Sequence, residues 1–217
     1  MEKVLIFGDS YSTFEGYIPE GYATYYTSGG GCTDVRHVDE TWWYQLLTQQ
    51  GDQLCMNNSW SGSTISYTGY DKADCSKTSS FIFRLEQLAQ NGFFSENQID
   101  TVYVFGGTND NGLQTPLGDL NCTEFSHDTL FQVFPAISYF MKRLKEILPK
   151  AKLVWIINTD MKPELADGME KLSRQYGFLP VRLNPFEKIS YHPSVRGMRE
   201  IKDQIIQSLK NDLKKMY

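Results

Sequence analysis

Residues 8–12, Gly-Asp-Ser-Tyr-Ser, carry the first side chains in the chain that could perform covalent chemistry. They follow an apolar run, Val-Leu-Ile-Phe at 4–7, that predicts a buried strand, so Ser10 stands at the carboxyl end of a strand, where parallel α/β sheets bind ligands. A serine hydroxyl there becomes a nucleophile when an adjacent base removes its proton. Aspartate and serine also cap turns, so this segment alone is as typical of a structural turn as of a catalytic one.

Three further polar segments follow or flank predicted strands. Residues 57–62 (Asn-Asn-Ser-Trp-Ser-Gly) follow a second strand, and residues 106–110 (Gly-Gly-Thr-Asn-Asp) follow a third. Residues 191–193 (Tyr-His-Pro) stand just before the last helical pattern. Because carboxyl ends of parallel strands meet at one edge of a sheet, we expect all four segments to converge there.

The order serine, glycine, asparagine, histidine over these four segments resembles the SGNH (GDSL-type) hydrolase family from the first strand to the last helix. The resemblance implies an ester hydrolase with Ser10 as nucleophile and His192 as base. It also implies that the backbone amides of Ser10 and Gly62 and the side-chain amide of Asn109 stabilise the oxyanion of the tetrahedral intermediate. In a turn, Gly62 and Asn109 also have ordinary structural uses.

Residues beside these blocks are candidates for substrate binding, namely Asp9, Trp60 and Thr108. Trp60 either lines the pocket or packs, and Asp9 is interpreted as a turn-stabilising group rather than a proton carrier. His37 and His127 compete with His192 for the role of base, but neither lies beside a helix start near the end of the fold.

One position departs from the family pattern. The family usually carries an aspartate three residues before its histidine, where it orients the imidazole, and this chain has Ile189 there. Loss of that carboxylate can lower turnover by roughly four powers of ten. Three explanations stay open: a backbone carbonyl orients the ring of a Ser-His dyad, Glu187 or another acid reaches it, or the protein is a catalytically silent ligand-binding protein.

Two loop-rich segments, 15–39 and 111–128, begin after catalytic blocks and are predicted to form walls or a lid over the site. The first is rich in tyrosine and glycine, which suits sugars or polar esters. We therefore expect a small or carbohydrate-linked substrate, in particular an O-acetyl ester. A lysophospholipase or thioesterase is the alternative, although a long acyl chain would need an extended apolar groove.

The elements that must position these residues alternate strand and helix. Apolar runs predict strands at 3–7, 52–57, 101–105, 152–157 and 179–183. Helical periodicity predicts helices that end at Gly51, near Gly92, before or at Pro149 and at Gly177, and a last helix that starts at Ser194. We expect one domain over 1–217, a three-layer α/β/α sandwich with a central five-stranded parallel sheet, flavodoxin-like.

Composition and charge exclude several other classes. The 217 residues are 41% hydrophobic and 22% charged, and the net charge of −5 disfavours a nucleic-acid partner. No apolar run is long enough to span a membrane. The four cysteines are predicted to be free thiols, and no metal or other cofactor is implied. The start of the chain predicts a cytoplasmic protein, or a secreted one if a leader has been removed. No oligomeric state is predicted.

Overall fold

The computed structural model describes residues 1–215, and its centre is a parallel sheet of five strands in the order β2-β1-β3-β4-β5. The strands are β1 (Lys3–Gly8), β2 (Gln53–Ser59), β3 (Thr101–Phe105), β4 (Lys152–Ile157) and β5 (Leu179–Arg182). Every neighbouring pair is parallel. All five predicted strands are thereby confirmed, with end points that differ by at most two residues.

Helices cover both faces of this sheet. They are α1 (Trp42–Gln50), α2 (Phe81–Gln90), α3 (Phe93–Glu96), α4 (Thr108–Gly112), α5 (Val133–Ile147), α6 (Pro163–Gln175) and α7 (Val195–Lys215). The apolar sides of α2, α5 and α6 share one core with alternate strand residues, and those of α1 and α7 share the other. The predicted three-layer α/β/α sandwich is confirmed. Within residues 1–215, no helix is long and apolar enough to cross a membrane.

Strand β1 lies in the middle of the sheet and sets the position of the first polar segment. Its residues Val4 to Phe7 are fully buried because both faces of the strand are covered. Gly8 ends the strand between Ser59 and Phe105, so β1, β2 and β3 end at the same level. A Cβ on Gly8 would lie 2.5 Å from Ser12 and 2.6 Å from Ser59, and only glycine allows this close approach.

Several helix boundaries follow the capping signals in the sequence. Thr41 accepts a hydrogen bond from the Tyr44 amide to start α1, and Gly51 ends that helix in the left-handed conformation. Helix α7 starts after Ser194, whose Oγ accepts from the Gly197 amide. Helix α5 begins at Val133, since residues Asp128–Phe131 form a separate 3-10 turn that ends in extended backbone at Gln132.

A short antiparallel hairpin before α7 was not predicted from the sequence. Its strands are β6 (Lys188–Ile189) and β7 (His192–Pro193), joined by Ser190 and Tyr191 with φ of +49° and +67°. Two-residue hairpin turns with both central residues at positive φ normally use asparagine, aspartate or glycine. Serine and tyrosine are not among the residues that favour such a turn, so the sequence at 190–191 does not predict a hairpin.

Candidate active site

Ser10 lies in a tight turn at the end of β1. Residues Ser10–Ser12 form a 3-10 turn, and Asp9 caps it by accepting a hydrogen bond from the Tyr11 amide at 3.0 Å. Thr13 Oγ1 donates to the Ser10 carbonyl at 3.1 Å, which fixes the backbone on the other side. Ser10 is only 7% exposed. The turn therefore holds the hydroxyl in one place at the edge of the sheet.

His192 meets this hydroxyl through one nitrogen and a backbone carbonyl through the other. Its Nε2 lies 2.9 Å from Ser10 Oγ, and its Nδ1 lies 3.1 Å from the carbonyl oxygen of Ser190. A carbonyl oxygen can only accept, so Nδ1 carries the proton and Nε2 presents its lone pair to the serine. This arrangement matches that of a general base beside a nucleophile.

The acids near His192 do not reach its ring. The Glu187 carboxylate accepts instead from the Ser194 hydroxyl, which caps α7. Ile189 pairs with His192 across the hairpin. Among residues 1–215, no carboxylate forms an ion pair with His192, so the geometry fits the first of the three explanations, in which a backbone carbonyl orients the imidazole.

Two tyrosine hydroxyls hold the hairpin next to Ser10 by hydrogen bonds to its backbone. Tyr11 donates to the Tyr191 carbonyl at 2.6 Å, and Tyr26 donates to the Pro193 carbonyl at 3.1 Å. A bulky residue at positive φ is unusual and costs free energy, so the surroundings must hold Tyr191 in place. The strained turn brings the Ser190 carbonyl to His192 Nδ1, and these two hydrogen bonds stabilise it.

Three aromatic rings surround the imidazole. Tyr25 stacks on its face with a centroid distance of 3.6 Å and an interplanar angle of 12°. Tyr11 lies 5.2 Å away in a tilted arrangement, and Tyr26 lies edge-on at 6.4 Å. Tyr25 belongs to the tyrosine-rich segment noted in the sequence, but neither its spacing nor its neighbours indicated a contact with a histidine 167 positions later.

Besides the Ser10 amide, the candidate oxyanion donors are Gly62, in a turn after β2, and Asn109, in the first turn of α4. Gly62 adopts the left-handed conformation, φ +79°, inside a turn closed by the Ser63 amide and the Trp60 carbonyl at 3.1 Å. Asn109 donates from Nδ2 to the Ser63 carbonyl at 2.8 Å, and its Oδ1 accepts from the Tyr70 hydroxyl at 2.8 Å. These bonds orient the Asn109 amide and connect the start of α4 to the turn that contains Gly62.

Arg84 supports the floor of the site from inside the protein. Its guanidinium is fully buried and donates to the carbonyls of Gly8, Asn58 and Ser79 and to Ser63 Oγ. It thus joins the ends of β1 and β2 to the turn that contains Gly62. Its partners are neutral oxygens of the backbone and of Asn58 and Ser63.

Asp110 supports the same region from the other side. Its carboxylate accepts from the amides of Ile65 and Ser66 and from Ser66 Oγ, at 2.7 to 3.1 Å. Burial nevertheless raises the pKa of Asp110 above its ordinary value, with those hydrogen bonds acting in the opposite direction. These contacts are those of a residue that stabilises the turn at 65–66.

Burial also governs the two titratable groups closest to Ser10. It raises the pKa of Asp9 to about 7, against the lowering effects of the Tyr11 amide and of the Arg84 charge. It lowers the pKa of His192 below 6.5, and the Lys188 charge acts in the same direction while the Ser190 carbonyl opposes it. A histidine with a lowered pKa is neutral at pH 7 and available as a base.

The three predicted substrate-binding residues lie in different settings. Trp60 is half-buried and packs against Tyr22 with ring centroids 4.2 Å apart. Thr108 Oγ1 accepts from the Asn158 side chain at 3.1 Å. Asp9 is 1% exposed and caps the Ser10 turn, so its contacts are those of a positioning residue.

The two long segments differ in their contacts. Segment 15–39 reaches the site: Tyr25 stacks on His192, and the Ser61 amide donates to the Ala23 carbonyl. Segment 111–128 instead hydrogen-bonds to the start of α5 through its residues 116 and 117. The wall beside Asn109 comes from segment 63–80, which carries Tyr70 and was not singled out in the sequence.

Other potential ligands are spread apart. No group of three or more histidine, cysteine or acidic side chains in the described part of the chain could hold a metal ion. All four cysteines are free, as predicted. The His37 amide donates to the Glu40 carboxylate at the start of the turn Val38–Glu40, and His127 packs against the rings of Tyr67 and Phe131.

Comparison with known families and structures adds an independent observation. The model of the GDSL-like lipase/acylhydrolase family matches residues 2–209. A protein of Bacteroides uniformis described as a GDSL-like lipase is 38% identical, with a TM-score of 0.88 and coverage of 97% of this chain and 96% of that one. A second, from Bacteroides ovatus, is 33% identical, with a TM-score of 0.90 and coverage of 97% and 99%.

More distant structures share the architecture. An active-site mutant of a family two carbohydrate esterase from Clostridium thermocellum has a TM-score of 0.64 at 17% identity, with 98% of this chain and 64% of that chain covered. At this identity the likeness shows the fold alone. Comparison with curated proteins finds no match.

Proposed function

Because the chain belongs to the GDSL-like lipase/acylhydrolase family and is an esterase, we propose that it hydrolyses small or carbohydrate-linked esters, in particular O-acetyl esters, through a Ser10-His192 dyad. The observation that carries this proposal is the continuous contact from Ser10 Oγ to His192 Nε2 and from His192 Nδ1 to the Ser190 carbonyl. It supplies a nucleophile, a base and a group that orients the base.

In the proposed reaction, Ser10 Oγ attacks the ester carbonyl carbon while its proton moves to His192 Nε2. The tetrahedral intermediate then expels the alcohol, which takes the proton back from His192, and an acyl-serine remains. Water attacks this acyl-serine with the same base assistance and releases the acid. The dyad performs both halves because His192 alternates between base and acid.

Three donors are assigned to the developing oxyanion, the backbone amides of Ser10 and Gly62 and the side-chain amide of Asn109. In favour of this assignment, Gly62 adopts a left-handed backbone conformation in the turn next to Ser63, and the Asn109 amide is held by Ser63 and Tyr70. Loss of one such donor typically lowers turnover by about two to three powers of ten.

The surroundings of the dyad favour a polar, ring-shaped alcohol. Trp60 packs against Tyr22 in the turn that contains Gly62, Tyr70 donates to Asn109, and Tyr191 is 88% exposed at the tip of the hairpin that carries His192. Aromatic side chains with a polar tip suit sugar rings, which offer both apolar faces and hydroxyls.

The nucleophile is tested by reaction with a serine-directed fluorophosphonate, followed by intact-mass measurement. We expect one adduct on the wild-type chain and on Ser61→Ala, a matched control in the neighbouring turn, and none on Ser10→Ala. An adduct that persists in Ser10→Ala contradicts the assignment of the nucleophile.

The substrate is tested with 4-nitrophenyl esters of two to twelve carbons and with acetylated xylo-oligosaccharides. We expect kcat/KM to be highest for acetyl and to fall with acyl length, and acetate to be released from the sugar esters. A preference for long acyl chains would instead identify a lysophospholipase or thioesterase.

A further inference from the structure

The proposed dyad lacks a charged group that stabilises the protonated His192 ring, and Tyr25 lies against that ring. When His192 takes the proton of Ser10 it becomes a cation, and in a triad the aspartate stabilises that charge. The Ser190 carbonyl orients the ring but carries no net charge. Neither Ser10 nor the Ser190 carbonyl supplies a negative charge that would stabilise this cation.

The face of Tyr25 lies directly against the imidazole. The centroid distance of 3.6 Å and the 12° angle place the whole imidazole ring over the phenol ring. The face of an aromatic ring carries negative charge density, so it attracts a cation within about 6 Å. This attraction is stronger for imidazolium than for neutral imidazole, and it grows as the proton moves from Ser10.

The position of Tyr25 is fixed by the same turn that holds the nucleophile. Its backbone amide donates to Thr13 Oγ1 at 2.9 Å, and that hydroxyl in turn donates to the Ser10 carbonyl at 3.1 Å. Tyr26 packs edge-on against the Tyr25 ring at 4.9 Å. Nucleophile, base and stacked ring are therefore connected through one short set of hydrogen bonds.

We propose that Tyr25 is a positioning residue that holds the His192 ring in plane and stabilises its protonated form, in partial replacement of the carboxylate that Ile189 displaces. This inference rests on the proposed Ser10-His192 dyad. It differs from that proposal because it assigns an energetic role to the tyrosine-rich segment 15–39.

Other charged and titratable groups around His192 must be considered in the test. They are Asp9 below the Ser10 turn, Tyr11 and Tyr26 beside the ring, and Lys188 on the hairpin with its partner Asp160. Lys188 lowers the pKa of His192, so its effect is opposite to the one proposed for Tyr25. None of these groups changes when position 25 alone is substituted.

The experiment compares Tyr25→Phe, Tyr25→Trp and Tyr25→Leu with Tyr17→Leu, a matched change in the same segment whose ring packs on Trp43 rather than on His192. Two quantities are measured: the pKa of His192 by NMR titration, and kcat and KM for 4-nitrophenyl acetate across pH. The chain has only three histidines, so His192 is assigned by its absence in His192→Gln.

We expect Tyr25→Phe and Tyr25→Trp to retain the wild-type His192 pKa and kcat. Tyr25→Leu should lower that pKa and reduce kcat roughly fivefold to thirtyfold, the range of a cation–π contact, with little change in KM. Tyr17→Leu should change neither. Should Tyr25→Leu fail to fold, Tyr25→Met provides the same comparison.

Equal His192 pKa and kcat in Tyr25→Leu and Tyr25→Phe would overturn the inference, as would a change confined to KM, which would make Tyr25 only a substrate contact. The NMR titration needs no turnover. Failure of the dyad itself, seen as activity that survives Ser10→Ala, is therefore distinguishable from failure of the role of Tyr25.

Discussion

Replacement of Ile189 by aspartate places a carboxylate on the same face of the hairpin as His192. The two residues pair directly across β6 and β7, and such partners have Cβ atoms about 4.5–5.5 Å apart on one side of the ribbon. Ile189 is 39% exposed, so an aspartate there stays partly hydrated and folding is little disturbed. A carboxylate oxygen of the aspartate can then accept the hydrogen bond from His192 Nδ1–H, in place of the Ser190 carbonyl or together with it.

The size of the effect follows from the two kinds of acceptor. A hydrogen bond between neutral groups contributes about 0.5–1.5 kcal/mol and one to a charged group about 1.5–3 kcal/mol. The difference of about 1–1.5 kcal/mol corresponds to a roughly five- to tenfold rise in kcat/KM. The carboxylate also favours imidazolium, so Ile189→Asp should raise the pKa of His192 and move the pH profile upward.

The assay is kcat/KM for 4-nitrophenyl acetate from pH 5 to 9, with thermal unfolding to verify folding. Ile189→Asn has the same size as the aspartate variant without its charge, and it should keep the wild-type profile. A folded Ile189→Asp variant with the profile of Ile189→Asn would refute the reasoning that position 189 faces the imidazole and lacks only a charge.

Three further predictions concern pH, the oxyanion turn and the hairpin tip. Burial and the Lys188 charge lower the pKa of His192, and the neutral ring is the base, so wild-type kcat/KM should rise with pH below 6.5 and level off above it. Lys188→Met removes one of these lowering effects and should move the rise to higher pH, as read from the pH–rate profile. In Gly62→Ala the new Cβ meets no atom closer than 3.8 Å, yet the φ of +79° disfavours a side chain by roughly 1–2 kcal/mol. Relief of this strain displaces the Gly62 N–H from the oxyanion, so kcat, measured in a stopped assay, should fall by up to about 10²–10³-fold with KM little changed. Tyr191→Gly should keep activity on 4-nitrophenyl acetate and weaken binding of acetylated sugars, whereas Tyr191→Val, which strains the φ of +67°, should lower activity on both; equal kinetics of the two variants would contradict a role for the turn.

The sheet and the order of the polar segments could be predicted from sequence because both depend on local patterns. The apolar runs of β1 and β3 and the polar residues that follow them are contiguous in the chain. Parallel pairing then brings Ser10 and Asn109 to one edge without further information.

The contacts that complete the site could not be predicted, because they depend on tertiary packing and on backbone conformations that the residue types do not favour. Ser190 and Tyr191 are poor candidates for positive φ, so the carbonyl that orients His192 had no signature. Tyr25 was visible only as a member of the tyrosine-rich segment 15–39, and Tyr70 was not singled out at all. Their partners, His192 and Asn109, are distant in sequence.

The most direct test of the dyad is the tautomer of His192, read from long-range ¹H–¹⁵N NMR correlations at pH 8, where the ring is neutral. His37→Gln and His127→Gln variants identify the remaining signals as His192. The geometry predicts a proton on Nδ1, held by the Ser190 carbonyl, and a bare Nε2 that accepts from Ser10. A proton on Nε2 would contradict the account, since that nitrogen could not then take the proton of the nucleophile.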